Sequence, residues 1–318
     1  MSRFLVTGGA GFIGSNLVHR LLSDGHEVRV LDDLSTGRLE NLSEVAADID
    51  FHEGDLRNPA TVVRAVADRD YVLHQGAMPS VQRSVEDPRT SFEINSVGTL
   101  NVLIAARDAG VHRVVFAGSS SVYGDSEALP KHEGMPPNPI SGYAVSKIEG
   151  EYQCRVFHQL YGLETVTLRY FNVFGPRQDP SSEYSAVIPR FITALLAGEA
   201  PCIYGDGDQA RDFSYIDNVV DANLRACTAD GAAGQAVNIA CGEMVSLLEL
   251  ATMLREVTGQ DIPPRHEEAR QGDVRYSLAA IERAREVLGY QPLVSVREGL
   301  VRTVAFYEEA VELEGRVS

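Results

Sequence analysis

The sequence has few cysteines, and it lacks an apolar run long enough to cross a membrane. The four cysteines among 318 residues show no Cys-x-x-Cys spacing and lie in apolar or helical patterns, which predicts buried, reduced thiols and a cytoplasmic protein. The chain begins with a strand-like segment at Arg3, without the basic and apolar regions of a signal peptide. We therefore expect neither disulfides nor membrane insertion.

Lysine is scarce and negative charge is in excess. Lys131 and Lys147 are the only lysines, the other basic residues being arginine, and the formal net charge is −17 at pH 7. Nucleic acid and anionic membranes attract clustered basic residues rather than carboxylates. The composition excludes nucleic acid as a main partner, and it is compatible with both a high-salt habitat and a GC-rich genome.

The histidines show no spacing typical of metal ligands, so the sequence predicts no metal site. The eight are His19, His26, His52, His74, His112, His132, His158 and His266.

Strand-length apolar runs alternate with amphipathic helical patterns through the first half of the chain. Parallel neighbours need a connection long enough to hold a helix, so this alternation predicts an α/β fold with a doubly wound parallel sheet. The clearest strands are Phe4–Thr7, Val28–Leu31, Tyr71–His74, Val114–Ala117 and Thr165–Leu168.

After about residue 171 the pattern changes to loops rich in Gly, Pro and Asp, followed by helices such as Leu247–Val257 and Ile281–Leu288. A helix at Ile216–Cys227 and a strand at Val237–Ala240 are expected to return to the large sheet. We predict two interleaved domains: 1–171 with about 213–241 for a cofactor, and a smaller C-terminal α/β unit of 172–212 with 242–318 for a substrate.

A glycine motif lies at the first strand-to-helix junction. Gly8 suits a tight turn, Gly11 a close approach of backbone to pyrophosphate, and Gly14 the packing of helix on strand. The free amides of the helix beginning near Phe12 and Ile13 favour an anion. This context predicts a dinucleotide site in a Rossmann-type domain.

Asp32 ends the second strand, where its carboxylate can accept hydrogen bonds from ribose hydroxyls and would repel a 2′-phosphate. NAD is therefore favoured over NADP. After a short strand at Ile49–Glu53, Asp55 can accept the adenine amino proton while Leu56 packs on the ring. The loop residues Asp33, Ser35, Thr36 and Gly37 complete the predicted adenosine site.

Tyr143 and Lys147 are four residues apart and therefore lie on one face of a helix. They follow the hydroxyl-rich segment Gly118–Gly124, whose Ser119 comes at the carboxyl end of a strand, where α/β proteins bind ligands. Lys147 and a positive nicotinamide would stabilise the phenolate and lower the tyrosine pKa from about 10 towards working pH. Tyr143 is then predicted to act as a base.

Over nearly its whole length the chain resembles the extended short-chain dehydrogenase/reductases, and among them the UDP-hexose 4-epimerases, especially those accepting N-acetylated sugars. The resemblance implies bound NAD, a UDP-sugar substrate, catalytic Ser119, Tyr143 and Lys147, and a homodimer formed by the helices around Pro88–Ala109 and Tyr143–Tyr161. It implies cofactor contacts at Gln75, Ala77, Tyr143, Lys147 and Tyr170, and substrate contacts at Asn95, near the nicotinamide, and at Ser120, Ser121, Asn172, Val187, Tyr204, Arg211, Arg270, Asp273 and Ser277.

The segment after Ser119 separates the reactions found in this family. Related dehydratases carry Asp and Glu where this chain has Ser120 and Ser121, and nucleotide-glucuronate decarboxylases usually keep Glu at the position of Ser121. Epimerisation through a 4-keto intermediate is the expected reaction. A regulator without catalysis is disfavoured because Ser119, Tyr143 and Lys147 are all retained.

Ser277 lies where the resemblance places a bulky Tyr in narrow galactose epimerases, so a serine predicts room for an acetamido group. The segment His74–Ser84 also resembles the N-acetylhexosamine enzymes, although Gly76-Ala77 departs from their usual Ala-Ala. A uronic acid substrate paired with Arg83 or Arg190 stays open as an alternative.

Overall fold

Seven of the strands form one parallel central sheet, and the shorter ones lie in smaller sheets. The computed structural model describes residues 1–180, 186–269 and 275–317, with side chains described as far as residue 310. The strands are β1 Arg3–Thr7, β2 Glu27–Asp32, β3 Ile49–Glu53, β4 Tyr71–His74, β5 Arg113–Ser119, β6 Glu164–Tyr170, β7 Val173–Phe174, β8 Cys202–Tyr204, β9 Ala210–Arg211, β10 Ser214–Tyr215, β11 Gln235–Ile239, β12 Val245–Ser246, β13 Arg265–Glu267 and β14 Tyr276–Ser277. The order in the central sheet is β11-β6-β5-β4-β1-β2-β3.

Helices connect the strands, and their ends follow local sequence. Ser141 caps the helix that carries Tyr143 by accepting the Ala144 amide, and Gly162 ends that helix in a left-handed conformation. The helices are α1 Phe12–Ser23, α2 Pro59–Val66, α3 Val81–Glu86, α4 Pro88–Phe92, α5 Gly98–Ala109, α6 Gly142–Tyr161, α7 Val187–Leu196, α8 Ile216–Thr228, α9 Leu247–Thr258, α10 Glu282–Leu288 and α11 Val296–Val317, with short 3₁₀ helices at Leu39–Val45 and Ser120–Tyr123 and a π-helical turn at Glu93–Val97.

Both faces of the central sheet are covered, as a parallel sheet requires. On one face α1 and α8 pack together over β1, β5 and β6, while α2, α5 and α6 cover the other. Residues such as Leu5 and Val115 are consequently fully buried. The doubly wound α/β fold predicted from the sequence is confirmed, and each predicted strand matches an observed one to within two residues.

The later elements form small sheets beside the carboxyl edge of the large one. Strand β9 pairs antiparallel with β12 and parallel with β14, and β8 pairs with β13. Strand β11 returns to the large sheet beside β6. One apolar cluster runs through both groups of elements, so the proposed division into two domains stays a prediction.

Cysteine burial differs in part from the prediction. All four thiols are free, and Cys154 and Cys227 are buried, but Cys202 and Cys241 are only partly so. Cys202 begins the short strand β8, where a partner strand protects the backbone but not the side chain. Among the helices of the described ranges, none combines the length and apolar character needed to cross a bilayer.

Candidate active site

The glycine turn after β1 leaves no space for side chains. Gly8 has φ +66°, and a Cβ at Gly8 would lie 2.7 Å from the backbone of Gly76. A Cβ at Gly14 would lie 2.0 Å from the Gly8 carbonyl oxygen. Helix α1 then begins at Phe12, and Gly11 before it provides no side-chain cap, so the first amides of the helix stay available to an anion.

Asp32, at the end of β2, lies beside this turn and is only 7% exposed. Its carboxylate accepts the Ala10 amide at 2.9 Å and the Leu34 amide at 2.9 Å, one at each oxygen. A Cβ at Gly37 would lie 2.7 Å from the same carboxylate. Burial raises the pKa of Asp32, while the two amide bonds oppose the shift. The carboxylate therefore joins two loops, and each oxygen keeps a second lone pair.

The other predicted adenosine residues lie around Asp32 on exposed turns. Asp33 accepts the amide of Ser35 at 3.0 Å and its hydroxyl at 2.6 Å, and Thr36 beside them is exposed. Asp55 accepts the Nε and Nη2 atoms of Arg57 at 2.9 Å and 2.6 Å. Hydrogen bonds from Arg57 lower the pKa of Asp55, which is therefore an ionised acceptor at neutral pH.

A buried amide missed by the sequence analysis lies near the end of β4. Asn223 of α8 donates to the Tyr170 hydroxyl at 2.9 Å and accepts from Gln75 Nε2 at 3.2 Å. The Tyr170 hydroxyl also lies 3.2 Å from Gln75 Oε1, which closes a triangle of side chains. Burial raises the pKa of Tyr170 well above its ordinary value. An asparagine on the buried face of a predicted helix is the sequence signal that could have found this contact. Ala77 is partly buried two residues after Gln75.

Leu56 supports the same edge of the sheet. It is 8% exposed, and it packs so closely on the backbone that a Cβ at Gly76 or at Gly98 would lie within 3 Å of its side chain. The Leu56 carbonyl accepts Asn101 Nδ2 at 2.9 Å. Leu56 is therefore held between the glycine turn and α5.

Asn95 connects the loop after β4 to helix α6. Its Oδ1 accepts the Met78 amide at 2.7 Å, and its Nδ2 donates to the Met78 carbonyl at 3.3 Å and to Ser146 Oγ at 3.1 Å. Both polar atoms of this buried side chain are engaged by the protein. The contacts join Asn95 to Ser146, the residue that precedes Lys147 on α6.

The three predicted catalytic side chains come together at the end of β5. Ser119 Oγ accepts the Ser121 amide at 3.2 Å, and its interaction with the Tyr143 hydroxyl lowers the pKa of that phenol. Lys147 Nζ donates to the Ala117 carbonyl at 2.9 Å and lies 5.7 Å from the centre of the Tyr143 ring. A strand end and one turn of helix thus converge on a single hydroxyl pair.

Burial dominates the electrostatics of this group. It lowers the pKa of Lys147 to about 8 and raises the pKa of Tyr143, although the Ser119 hydrogen bond opposes the second shift. The lowering of the Tyr143 pKa expected from Lys147 and a positive nicotinamide together is therefore not produced by the protein alone. A positive charge brought next to the phenol would act in the opposite direction and lower its pKa.

Three predicted substrate residues follow the ends of β5 and β6, namely Ser120, Ser121 and Asn172. Ser121 Oγ is buried without a hydrogen-bond partner among the described residues, an arrangement that costs about 1–3 kcal/mol unless a ligand satisfies it. Asn172 adopts φ +32° and donates through Nδ2 to the Asp212 carbonyl at 2.9 Å. Ser120 is partly exposed.

Three further predicted substrate residues, Tyr204, Arg211 and Ser277, lie in the small sheets. Arg211 and Ser277 are opposite each other in the pairing of β9 with β14, and the Asp212 amide donates to the Ser277 carbonyl at 2.7 Å. The guanidinium of Arg190 lies 5.8 Å from the centre of the Tyr204 ring. Residues distant in sequence thus meet in two pairs, Arg211 with Ser277 and Arg190 with Tyr204.

The last predicted substrate residues lie at or beyond the edge of the described ranges. Val187 is the first residue of α7 and is partly exposed. Arg270 and Asp273 lie outside the described residues.

Comparison with known proteins establishes the family. The model of the NAD dependent epimerase/dehydratase family matches residues 4–240. A UDP-glucose 4-epimerase of Mycolicibacterium smegmatis is 44% identical over 309 residues, which covers 96% of this chain and 98% of the relative. The chain belongs to the NAD dependent epimerase/dehydratase family, and the resemblance drawn from its sequence is confirmed.

Solved structures agree over the whole fold. A UDP-N-acetylglucosamine 4-epimerase from Methanobrevibacter ruminantium M1, in complex with UDP-N-acetylmuramic acid, has a TM-score of 0.93 at 37% identity and covers 97% of this chain and 99% of its own. A UDP-glucose 4-epimerase of Thermus thermophilus, in complex with NAD, has a TM-score of 0.88 at 38% identity with the same coverage.

Proposed function

We propose that the protein catalyses NAD-dependent 4-epimerisation of a UDP-hexose through a transient 4-keto intermediate. The observation that carries this proposal is the convergence of Ser119, Tyr143 and Lys147 beside the glycine turn. The candidate substrates are the pairs UDP-GlcNAc/UDP-GalNAc and UDP-glucose/UDP-galactose. Similarity to proteins described as UDP-glucose and UDP-N-acetylglucosamine 4-epimerases supports both pairs.

The residues present fit NAD. Gly8 and Gly14 allow the close backbone packing of the turn, since a Cβ at either would collide with backbone, and the uncapped start of α1 offers amides to a pyrophosphate. Asp32 has lone pairs for ribose hydroxyls and a charge that disfavours a 2′-phosphate. Gln75 and Tyr170 would flank the nicotinamide end. When bound, NAD supplies the acceptor and donor of hydride at carbon 4.

The proton chemistry belongs to the side chains. Tyr143 removes the proton of the 4-hydroxyl and later returns it, while Lys147 holds the nicotinamide ribose and stabilises the phenolate. Ser119 accepts the Ser121 amide, which leaves its own proton free to donate to the substrate oxygen or to Tyr143. The two hydroxyls thus share one substrate oxygen.

We assign substrate selectivity to Ser121, Arg211 and Ser277. The unpartnered hydroxyl of Ser121 suits a sugar hydroxyl, and Arg211 suits the diphosphate. Because Ser277 lies opposite Arg211, a small side chain there leaves space for an acetamido group. We assign Asn95 to positioning of Met78, since its polar atoms are already engaged.

A UDP-uronate is the second candidate substrate. The Arg190 guanidinium lies against Tyr204, within the predicted substrate wall, and it could pair with a carboxylate. Elimination of water is disfavoured because Ser120 and Ser121 replace the acid and base that dehydratases use.

We also propose a homodimer that buries the outer face of α6. This face carries exposed apolar side chains, including Val156 at 44% and Leu160 at 71%, and Phe92 of α4 is 51% exposed. Two copies of α6 with the helices beside it would form a four-helix contact. Such a contiguous apolar surface is typical of a subunit interface.

The test is to incubate the purified protein and NAD separately with UDP-GlcNAc, UDP-galactose and UDP-glucuronate and to follow each sugar by proton NMR. A 4-epimer without net NADH would support the proposal and rank the substrates. A 4-keto-6-deoxy sugar would contradict it in favour of a dehydratase, and a pentose in favour of a decarboxylase.

A further inference from the structure

A buried ion pair fastens the helix of Tyr143 to the central sheet. Arg169 of β6 donates through Nε to Glu151 Oε2 at 2.9 Å and through Nη2 to Glu151 Oε1 at 2.7 Å. The two side chains are only 4% and 12% exposed. The pair is bidentate, a geometry that restricts orientation as well as distance.

The same guanidinium also holds the segment that follows Ser119. Its Nη1 donates to the Tyr123 hydroxyl at 2.7 Å, and that hydroxyl donates to Asn238 Oδ1 of β11 at 2.7 Å. Tyr123 is 1% exposed and closes the 3₁₀ helix that begins directly after Ser119. Arg169 therefore contacts α6, which carries Tyr143, and the 3₁₀ helix that directly follows Ser119.

Helix α6 is fixed at two levels of one side. Tyr143, Lys147 and Glu151 follow one another at intervals of four residues, about 6 Å of helix rise each. Lys147 is bonded to the Ala117 carbonyl of β5 and Glu151 to β6. Two attachments on neighbouring strands set both the rotation and the axial position of the helix.

We propose that Arg169, acting through Glu151 and Tyr123, is a positioning residue that sets the distance between the hydroxyls of Tyr143 and Ser119. Arg169 is 3% exposed and its guanidinium is occupied by protein partners. A buried ion pair contributes little net stability compared with apolar packing, whereas a displacement of about 1 Å at a reacting group costs about 100-fold in rate. The inference rests on the proposed function only in the experiments that measure turnover.

The chain offers a control pair at the opposite end of β6. Arg113 begins β5 and donates through Nε to Glu164 Oε2, at the start of β6, at 2.8 Å. The Arg113 side chain is 8% exposed, so it too is buried and paired. Its other hydrogen bonds go to the Ala226 and Ala229 carbonyls at the end of α8, so within the described ranges its side chain is bonded neither to α6 nor to the segment after Ser119.

The experiment compares the NAD-loaded R169K, Y123F and R113K variants with the wild type. Lysine can reach Glu151, but it cannot hold the carboxylate bidentately together with the Tyr123 hydroxyl. We expect kcat to fall about 10- to 100-fold in R169K and by a smaller factor in Y123F, with KM and bound NAD within about twofold. R113K should keep its kcat within about twofold even where its Tm falls. A kcat of R169K near the wild-type value, or an equal loss in R113K, overturns the proposal.

Crystal structures of the R169K and R113K holoenzymes give a readout without substrate. The distance between the Tyr143 and Ser119 hydroxyl oxygens should differ from the wild-type distance in R169K and match it in R113K. An unchanged distance in R169K contradicts the positioning role. A wild type that epimerises none of the three UDP-sugars contradicts the proposed function instead, and the structures then decide the positioning role by themselves.

Discussion

The ammonium of Lys147 lies 5.7 Å from the centre of the Tyr143 ring, in a setting that buries all but 4% of the lysine. It donates to the Ala117 carbonyl at 2.9 Å, and burial lowers its pKa to about 8. Desolvation of a positive charge opposes folding. The structure therefore holds a buried ammonium beside the phenol that we propose as the base, a combination typical of functional sites.

Replacing Lys147 with Met is expected to stabilise the protein while abolishing turnover. The pKa of Lys147 is about 8 in the folded protein and 10.5 in the unfolded chain, so between these pH values the unfolded state binds more protons. Wild-type stability therefore rises with pH through this window, and the penalty for burying the charge is complete below pH 8. The penalty for burying the charge is about 3 kcal/mol. The gain in stability of K147M is smaller by about 1 kcal/mol because the bond to the Ala117 carbonyl is lost. Urea unfolding without NAD should show K147M more stable at pH 7, with the difference shrinking towards pH 10.5. A less stable K147M at pH 7 contradicts this.

Tyr143→Phe is expected to reduce kcat by about 100- to 10,000-fold because the general base is lost. Bound NAD, measured after denaturation of the protein, should be unchanged, since the phenol is not needed to hold the dinucleotide. Tyr152→Phe, on the exposed side of the same helix, is the control and should keep wild-type activity. Near-normal epimerisation by Y143F would remove the proposed mechanism.

Ser277→Tyr is expected to suppress turnover of N-acetylated sugars by at least about tenfold while sparing UDP-glucose and UDP-galactose. The larger side chain would occupy the space opposite Arg211 that we assign to the acetamido group. Ser277→Ala preserves that space and serves as the control. The readout is the ratio of kcat/KM for the two sugar classes, and an equal loss on both would refute the pocket argument.

Gly14→Ala is expected to destabilise the glycine turn by about 1–3 kcal/mol or more and to abolish NAD binding. Its Cβ would lie 2.0 Å from the Gly8 carbonyl oxygen, a contact with a backbone atom that no rotamer relieves. At Gly25 a Cβ meets nothing within 4 Å, although φ is +79°. Gly25→Ala should therefore retain NAD at a strain cost of about 1–2 kcal/mol. Equal NAD content in both variants would count against the turn as the cofactor site.

Val156→Glu is expected to convert the proposed dimer to monomers because it places a charge in the middle of the α6 contact. Val63 on α2 is 55% exposed and lies on another surface, so Val63→Glu is the matched control. Sedimentation of the two variants at the same concentration would distinguish them. A wild type that already sediments as a monomer, or a dimeric V156E, contradicts the interface.

Much of the site could be predicted because parallel sheets place strand ends together. Once the alternating pattern defined β1 and β5, Gly8 and Ser119 had to lie on one edge, and the four-residue interval brought Tyr143 and Lys147 to the same side. These inferences need only local periodicity and the direction of the strands. They do not depend on which side chains meet.

Contacts between side chains distant in sequence were not predictable in the same way. Asn223 and Arg169 are polar residues inside apolar patterns, and their sequence context does not identify Tyr170 or Glu151 as their partners. The direction of the Tyr143 pKa shift was not predictable either, because it depends on how deeply the ring is packed. Burial depth and long-range pairing are properties of the assembled core.

The two lysines, Lys131 and Lys147, are only 2% and 4% exposed. Reagents that modify primary amines, such as activated esters, therefore reach neither lysine side chain while the protein is folded. Lysine labelling would begin only when the chain unfolds. An acidic surface built with arginine in place of lysine thus makes amine labelling a measure of unfolding.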